Sequence, residues 1–508
     1  MRRALTLAAV PALLFAALAG LAVLGPGDDT THFFWNRVAA RLGWPLVLGA
    51  VAASAAALLA RRPLPWIGAV VLGYAPYAAM QQFGIDTALY AEYALRGARE
   101  GLLEMLLRWP EQVWGAADGH LHRHLPLVPW IYAAALKLGL PFRAVAGLWA
   151  AAMVWGTLRL GGDKAAAMLL AVPLLWPGTG QLLTDAPLTA AVAFGLAGLL
   201  QGRWWWALPA FAIKISAGLF LLGPLVCLVL QPWRGRGRAA LTLVLGLVAV
   251  VALFGVVGHR VRPLDTYLGA LRSLLVQETP WLLAAAAWGL WRDPDRRRAW
   301  LLAAALGGLA VVLRYAPAGH AARYALPLVP VMATAAAAAV SGRVANALAA
   351  FGLVLGLGAW RPLAVHHQSA NLSAAIADVP DNVDVIDLWG DYPDQPVPPD
   401  FLAPLVQLEV DARVQYRGRL DAPVTLEDRP QGWWNRHALD PWYLQEDPAD
   451  AMMILVMGDA RPGAWPGWRH VATHDRYLGS SFAFPSAVLL FVREDATSSP
   501  DNHGDTPP

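Results

Sequence analysis

Long apolar segments alternate with short charged ones over about the first 360 residues of the chain. The segments at residues 4–24, 44–60, 239–257 and 325–340 are nearly free of charge, and each is about long enough, as a helix, to cross a hydrocarbon core of roughly 30 Å. The pattern therefore predicts several membrane-spanning helices. Residues 1–24 also resemble a secretory signal, but they lack a clear small-residue cleavage site, so we interpret them as a first anchored helix.

Composition argues against a soluble globular protein. The mean hydropathy is +0.44, and 15% of the 508 residues are charged, too few for a surface that faces water on all sides. The net charge of +3 carries little information for a membrane protein, and we expect membrane lipids rather than nucleic acid among the partners. The single cysteine, Cys227, excludes internal disulfides and leaves the redox compartment open.

Basic residues predict the topology, because short cytoplasmic loops are rich in Lys and Arg. The basic groups are Arg2, Arg3, Arg61, Arg62, Arg159, Lys164, Arg203, Arg234, Arg236, Arg238, Arg292, Arg296, Arg297, Arg298 and Arg343. If all of them are cytoplasmic, the segments between them form about 13 spans, with the N-terminus inside. The predicted fold class is a polytopic α-helical membrane protein with a C-terminal extracytoplasmic α/β domain. We expect it in the bacterial inner membrane, with that domain periplasmic or extracellular.

The predicted outer loop at residues 82–140 is too long and too charged to be a simple turn. One helical face carries Leu95, Ala98, Leu102, Met105, Leu106 and Trp109. The opposite face carries Glu92, Glu100, Glu104 and Arg108. This periodicity predicts a helix that lies along the membrane surface with its apolar side down. An amphipathic helix packed on protein is the alternative.

Composition changes after the membrane region at residues 1–360, which we predict to be the catalytic domain. Residues 361–495 are richer in aspartate, proline and tryptophan, and contain three strand-like segments. These segments are residues 384–389, 451–457 and 487–492. We predict a small extracytoplasmic α/β domain at 361–495 and a disordered tail at 496–508.

Ionisable residues at the edges of spans are costly and are therefore candidates for function. Asp86 and Asp185 both lie at predicted outer boundaries, so the two carboxylates face the same side. Helix capping is the alternative role for each of them, and the two roles are compatible. Lys214 interrupts an apolar segment, where its ammonium must reach the interface or bind an anion. Together with Arg323 beside Tyr324 it forms a candidate phosphate site, with interfacial anchoring as the alternative for Arg323.

Three histidines alternate along one outer segment, at His120, His122 and His124. Their spacing raises the question of a metal site. No Asp or Cys cluster completes a ligand set, so we predict no metal bound by these histidines.

Five segments, taken in order, resemble motifs of the membrane-embedded glycosyltransferases that use polyprenyl-phosphate sugars. The segments are DTALYAE at 86–92, HLPLVPWIY at 124–132, LTDAP at 183–187, AIKIS at 212–216 and ARYALPLVP at 322–330. They correspond to the family's acidic first-loop motif, His-Pro-Pro-Leu segment, second aspartate motif, lysine helix and later Arg-Tyr segment. The resemblance is to the GT-C superfamily, especially its protein O-mannosyltransferase and lipid A aminoarabinose transferase branch.

The resemblance implies transfer of a sugar from a polyprenyl-phosphate donor to a lipid, glycan or protein acceptor on the outer face, with inversion. It assigns Asp86 as the general base, while Asp185 binds sugar hydroxyls or positions the nucleophile. It assigns Lys214 and Arg323 to the departing phosphate. The remaining candidate substrate-binding residues are Glu92, His124 and Tyr324. No cofactor follows from the motifs, and a divalent cation stays open.

Some positions depart from the family pattern. The family's first-loop aspartate follows the first span, whereas Asp86 follows the third, so Asp28 or Asp29 stays an alternative base. Where the family has aspartate followed by glutamate, this chain has Asp86 followed by Thr87. Where the family has the first proline after the histidine, this chain has Leu125.

A polytopic transporter or lipid flippase is the main alternative function, since many spans with charged residues also describe those proteins. We find no internal repeat, and the charged candidates cluster on one predicted face, which favours the transferase. A membrane-anchored binding or assembly protein, with the C-terminal domain as its functional part, is a third hypothesis.

Overall fold

A computed structural model describes part of the chain. The described residues are 85–107, 125–141, 144–169, 182–214, 216–230, 280–292, 296–315, 326–350, 369–390, 402–418, 451–457, 467–475, 484–494 and single positions such as Val172 and Tyr324. The chain divides into two compact units, Met1–His367 and Gln368–Pro508. The predicted span at 4–24 lies outside the described residues, and the predicted spans at 44–60 and 239–257 are described only at single positions.

The described part of the first unit is helical. Its helices are α1 (Ile85–Glu100), α2 (Leu127–Lys137), α3 (Ala144–Gly161), α4 (Asp163–Met168), α5 (Asp185–Leu200), α6 (Leu208–Ile213), α7 (Ala217–Leu230), α8 (Pro280–Arg292), α9 (Arg296–Tyr315) and α10 (Leu328–Ala339). A 3-10 helix at Trp204–Ala207 leads into α6. The pairs that pack most extensively are α3 with α5, α8 with α10, α7 with α9, and α1 with α2.

Helix α1 packs against α2, and the predicted surface helix is interrupted. A Cβ at Gly97 of α1 would lie 3.0 Å from the Ala133 Cβ of α2. At Gly101 the backbone takes φ +127°, which favours glycine, before helical conformation resumes at 102–107. The described part of the segment packs on protein at α2, and its position along the membrane surface stays a prediction.

The burial of α1 differs from what the periodicity predicted. Glu92 is 3% exposed although the pattern placed it on the polar face. Its neighbours Ala91, Tyr93 and Ala94 are buried as well, so this part of the helix is buried around its circumference. Packing against other segments, which the periodicity of one helix does not contain, thus decides its burial.

Two glycines allow helices of the first unit to touch through their backbones. A Cβ at Gly307 of α9 would overlap the carbonyl oxygen of Leu219 in α7. A Cβ at Gly289 of α8 would overlap the carbonyl oxygen of Ala335 in α10. Small residues at helix contacts are typical of bundles in membranes, where packing replaces the hydrophobic effect as the force between helices.

Replacing Gly307 with alanine is expected to lower the free energy of unfolding by about 1–3 kcal/mol, because α7 and α9 must separate. Gly147→Ala in α3 is the matched control, since a Cβ there meets nothing within 4 Å. Alanine is the better helix former by up to about 1 kcal/mol, so this control should be neutral or stabilising. Thermal unfolding in detergent measures both changes. Equal shifts of Tm for the two variants would contradict the close approach of α7 and α9.

The N-terminal ends of α5 and α10 lie at one end of the bundle, which we call the Asp185 end. Asp185 is the first residue of α5, and Tyr324 lies shortly before α10. Lys214 contacts both of these side chains. The Asp185 end therefore gathers residues from segments that are far apart in sequence.

The C-terminal ends of α5 and α10 define the opposite end, which we call the Arg159 end. Gln201, just after α5, donates from Nε2 to the Arg159 carbonyl at 3.5 Å. Lys164 donates from Nζ to the carbonyl of Val340, just after α10, at 3.0 Å. The 16 residues of α5 span about 24 Å between the two ends at 1.5 Å per residue. These basic residues thus lie away from Asp185.

One described helix, α3, is long and apolar enough to cross a membrane, and several others are apolar but shorter. Large apolar side chains on the helices of the first unit are exposed, among them Leu148, Trp155, Val226 and Leu306. An exposed apolar surface of this kind is typical of contact with lipid or with another protein. The count of about 13 spans stays a prediction.

The second unit contains a five-stranded sheet in the order β2-β1-β3-β5-β4. The strands are β1 (Val385–Gly390), β2 (Arg413–Gly418), β3 (Met453–Met457), β4 (Trp468–His474) and β5 (Val488–Arg493). β1 pairs in parallel with β2 and β3, while β5 is antiparallel to β3 and β4. Helices α11 (Ala370–Ala377) and α12 (Ala403–Glu409) pack on this sheet.

Three buried polar side chains of this second unit, Asp387, Gln415 and Asn371, form hydrogen bonds. Gln415 on β2 donates from Nε2 to Oδ1 of its register partner Asp387 on β1, and both side chains are buried. Asn371 of α11 donates to the carbonyl of Ser486, ahead of β5. The predicted strands at 384–389, 451–457 and 487–492 coincide with β1, β3 and β5, whereas β2 and β4 were not predicted. The domain limits 361–495 and the disordered tail stay predictions.

Candidate functional site

Asp185 begins α5 at the end of a strained turn. Leu182, three residues earlier, has φ +54°, and among the described residues it is the one non-glycine with a positive φ. Such values are uncommon outside glycine and occur often at functional sites. Thr184 is the N-cap residue of α5, and its side chain forms no capping hydrogen bond. Asp185 is therefore a first-turn residue rather than the N-cap, although its negative charge suits the positive end of the helix dipole.

Lys214 lies where the helical conformation is interrupted between α6 and α7. Its backbone is extended, with φ −159° and ψ 135°, and helix resumes at Ala217. The residue is 6% exposed, so its ammonium does not reach a water-filled surface within the described structure. A buried ammonium needs an anionic or polar partner, as the sequence predicted for this position.

One partner of this ammonium is Asp185. Lys214 Nζ lies 3.4 Å from Asp185 Oδ1, and the two side chains are 7% and 4% exposed. The same Nζ lies 4.9 Å from the centroid of the Tyr324 ring. An ammonium over an aromatic face gains a further attraction, which is largest where water is excluded. The lysine is thus fixed by a carboxylate on one side and by a ring on another.

Helix α1 reaches this site through Tyr90. Its hydroxyl lies 3.4 Å from Thr184 Oγ1, and both residues are fully buried. Asp86 precedes Tyr90 by about one helical turn on the same helix, and its side chain is outside the described set. The described backbone therefore brings the helix that begins with the DTALYAE segment next to the LTDAP segment.

Leu125 connects the histidine segment to the lysine segment. Its backbone N–H donates to the carbonyl of Ile213, the residue before Lys214, at 3.4 Å. His124, which precedes Leu125, lies outside the described residues. Arg323, which precedes Tyr324, also lies outside them. All five sequence segments of the resemblance thus have at least one described residue near the Asp185–Lys214 pair.

Glu92 faces a different environment from Asp185. It is 3% exposed in α1 and lies near the Tyr93 hydroxyl. Burial raises the pKa of Tyr93 well above its ordinary value, the charge of Glu92 raises it further, and Arg96 lowers it. The predicted contact of Glu92 with substrate stays a prediction.

Sequence reasoning missed Tyr90, Thr184 and Leu182. Tyr90 and Thr184 lie inside or beside the quoted motifs, so their position was a signal that they contribute to the site. No feature of the sequence predicted the left-handed backbone at Leu182, because leucine has no preference for that conformation. Within the described ranges, no three His, Cys, Asp or Glu side chains form a group that could hold a metal ion, and His120, His122 and His124 lie outside those ranges.

Breaking the buried pair from one side is expected to destabilise the protein more than removing both charges. Asp185→Leu leaves the Lys214 ammonium buried without its carboxylate, which typically costs about 3–5 kcal/mol. Asp185→Leu with Lys214→Met replaces the pair by apolar groups, which is often nearly neutral. Thermal unfolding of both variants in detergent measures the difference. A double variant that is less stable than Asp185→Leu alone would contradict the coupling.

The arrangement suits recognition of an anion. The lysine ammonium carries three N–H donors, and Asp185 and the Tyr324 ring are two of its neighbours. A buried ammonium attracts negative charge more strongly than an exposed one, because water screens it less. The site is therefore a candidate for binding an anionic group.

No model of a known protein family matches the sequence, and no curated protein matches it. Among solved structures, two crystal structures of ArnT from Cupriavidus metallidurans are similar to this chain. The apo structure is 14% identical with a TM-score of 0.47, and the structure bound to undecaprenyl phosphate is 13% identical with a TM-score of 0.47. Each likeness covers 89% of this chain and 98% of that chain. The chain is thus similar to ArnT over most of its length, at values below those that establish a common fold.

Proposed function

We propose that this chain is a membrane glycosyltransferase that moves a sugar from a polyprenyl-phosphate donor to a lipid, glycan or protein acceptor. The observation that carries the proposal is the buried contact between Lys214 and Asp185, with Tyr324 over the same ammonium. These residues belong to three of the five segments that resemble the glycosyltransferase motifs. A resemblance based on separate short motifs gains weight when their residues meet in one buried site.

The proposed reaction is a single displacement at the anomeric carbon. The acceptor oxygen or nitrogen forms the new bond to that carbon, while the bond from the carbon to the phosphate oxygen breaks. Polyprenyl phosphate leaves with the bonding electron pair, and the acceptor's proton passes to the carboxylate of Asp86. Attack opposite to the leaving group inverts the anomeric configuration.

Lys214 supports the leaving group in this proposal. Negative charge grows on the phosphate as the bond to the sugar breaks, and a fixed ammonium in an apolar site stabilises that charge. Asp185 and Tyr324 hold the ammonium in position before the donor binds. Arg323 is the proposed second cation, because a guanidinium can bind phosphate through two hydrogen bonds.

The proposed location is the bacterial inner membrane, with the Asp185 end facing outward and the Arg159 end facing the cytoplasm. The exposed apolar side chains of the first unit and the basic residues Arg159 and Lys164 at one end support it. A reporter fused at Thr497 should be active only outside the cytoplasm. Activity of that fusion in the cytoplasm alone would contradict the orientation.

The function is tested by mass spectrometry of lipids, glycans and glycoproteins from a deletion strain, complemented with wild type or with Lys214→Met. A sugar that is absent from the deletion strain and returns with wild type identifies both the product and the acceptor. Lys164→Met is the matched control, because Lys164 also donates a hydrogen bond but lies at the Arg159 end. If all products are unchanged in the deletion strain while transport of a lipid is lost, the flippase alternative replaces the transferase.

A further inference from the structure

Aromatic and basic side chains form a continuous surface at the Arg159 end of the first unit. We call it the Arg–Trp surface, and it consists of Trp155, Arg159, Phe194, Arg203 and Trp206. α3, the end of α5 and the 3-10 helix that follows supply these residues. Phe194, the member of the surface on α5, lies nine residues after Asp185, about 14 Å along the helix. The surface plays no part in the proposed chemistry.

The arginines stack on tryptophan rings. Arg159 Cζ lies 5.9 Å from the centroid of the Trp155 ring, and Arg203 Cζ lies 5.3 Å from that of Trp206. Phe194 joins the two pairs, because its ring meets both tryptophans edge-on at centroid distances of 5.7 and 6.1 Å. Contact through Phe194 thus holds both guanidinium groups on one surface.

Neither guanidinium is neutralised by a carboxylate in the described part of the chain. Arg159 and Arg203 are exposed, and no described Asp or Glu lies within ion-pair distance of either. Trp155 is 55% exposed, and Trp206 is partly exposed. The surface therefore combines two exposed guanidinium groups with partly uncovered indole rings.

We propose that the Arg–Trp surface binds the phosphate of an acidic glycerophospholipid in the leaflet that it faces. A ring covers one face of each guanidinium, and the edge that carries the N–H donors stays available for bidentate contact with phosphate. Exposed indoles are stable at the level of the headgroups, where an apolar ring and a polar N–H are both accommodated. A free phosphate would satisfy the arginines but leave the indoles in water, so the combination favours a lipid.

This inference rests on the membrane location proposed above, and it is tested independently of sugar transfer. The purified full chain in detergent is titrated with phosphatidylglycerol or phosphatidylcholine of identical acyl chains, and native mass spectrometry counts the bound lipids. Wild type should bind phosphatidylglycerol more tightly than phosphatidylcholine. Arg159→Gln with Arg203→Gln should weaken phosphatidylglycerol binding by about tenfold or more, because two charge-assisted contacts are lost.

Arg99→Gln is the matched control, since Arg99 is an exposed arginine of α1 away from this surface. It should leave phosphatidylglycerol binding unchanged. Equal affinities for the two lipids, or an unchanged affinity in the double variant, would overturn the inference. Displacement of the lipid by inorganic phosphate at equal concentration would also overturn it, because the site would then bind a free anion. Lys214→Met should bind phosphatidylglycerol like wild type. Failure of the proposed transferase function would therefore not affect the lipid-binding result. Failure of lipid binding would likewise not contradict the transferase function.

Discussion

Lys214→Met is expected to lower the rate of sugar transfer by about 100- to 1000-fold, the usual cost of losing one preorganised electrostatic contact with developing charge. Methionine is close to lysine in length and suits an apolar site, so the protein should still insert and fold. The loss should fall on kcat, because the ammonium acts on charge that appears as the phosphate leaves. Transfer is measured with purified variants at equal amounts in nanodiscs, using the donor and acceptor identified from the deletion strain.

The control for this prediction is Lys164→Met, which removes the same charge at the Arg159 end. Its hydrogen bond to the Val340 carbonyl is structural, so its rate should stay near that of wild type after correction for stability. Equal activity of Lys214→Met and wild type would contradict a role in the leaving of phosphate. Lys214 would then serve only the buried pair with Asp185.

Asp86→Asn is expected to lower the transfer rate by about 100- to 10,000-fold, the usual contribution of a positioned general base. The amide keeps the size of the carboxylate and some capping ability, but it is a very poor base. α1 favours Asp86 over the earlier acids, because Tyr90 on that helix lies next to Thr184 at the start of α5. With a substrate acceptor that is already deprotonated, Asp86→Asn should transfer the sugar at the rate of wild type, because no base is then needed.

Asp29→Asn is the comparison that decides between the two candidate bases. We expect it to keep most of the activity. If transfer survives in Asp86→Asn and is lost in Asp29→Asn, the first-loop motif was aligned wrongly and the N-terminal helices belong to the catalytic core. If both variants stay active, no general base is needed, and the acceptor is nucleophilic enough by itself.

The sequence predicted parts of the second unit correctly because its strands are short and bounded by turn residues. The predicted segments at 384–389, 451–457 and 487–492 coincide with β1, β3 and β5. β4 carries a histidine and an arginine on exposed positions and has a register shift between His470 and Ala472, which weakens its alternation. The order β2-β1-β3-β5-β4 depends on contacts between strands that are distant in sequence, which no local pattern specifies.

For α1 the local pattern was misleading. Periodicity placed Glu92 on a solvent face, but Glu92 is buried, as are its neighbours Ala91, Tyr93 and Ala94, and α2 approaches the helix at Gly97. The energy of close backbone packing between two helices does not appear in the periodicity of either one. The interruption at Gly101 is a second such case, since glycine tolerates a helix but also permits the positive φ found here.

The sequence by itself determined that the chain is rich in long apolar segments, and that Asp185 and Lys214 are charges placed where charges are costly. A buried charge needs a group of opposite charge or a polar group beside it, so the sequence predicted that the Lys214 ammonium either binds an anion or reaches the interface. Only the tertiary structure decided which partner it is, because Asp185 lies 29 residues away on another helix and Tyr324 lies farther still. Helix packing brings the N-terminal ends of α5 and α10 to the interruption between α6 and α7, and that geometry is a property of the assembled bundle rather than of any one segment.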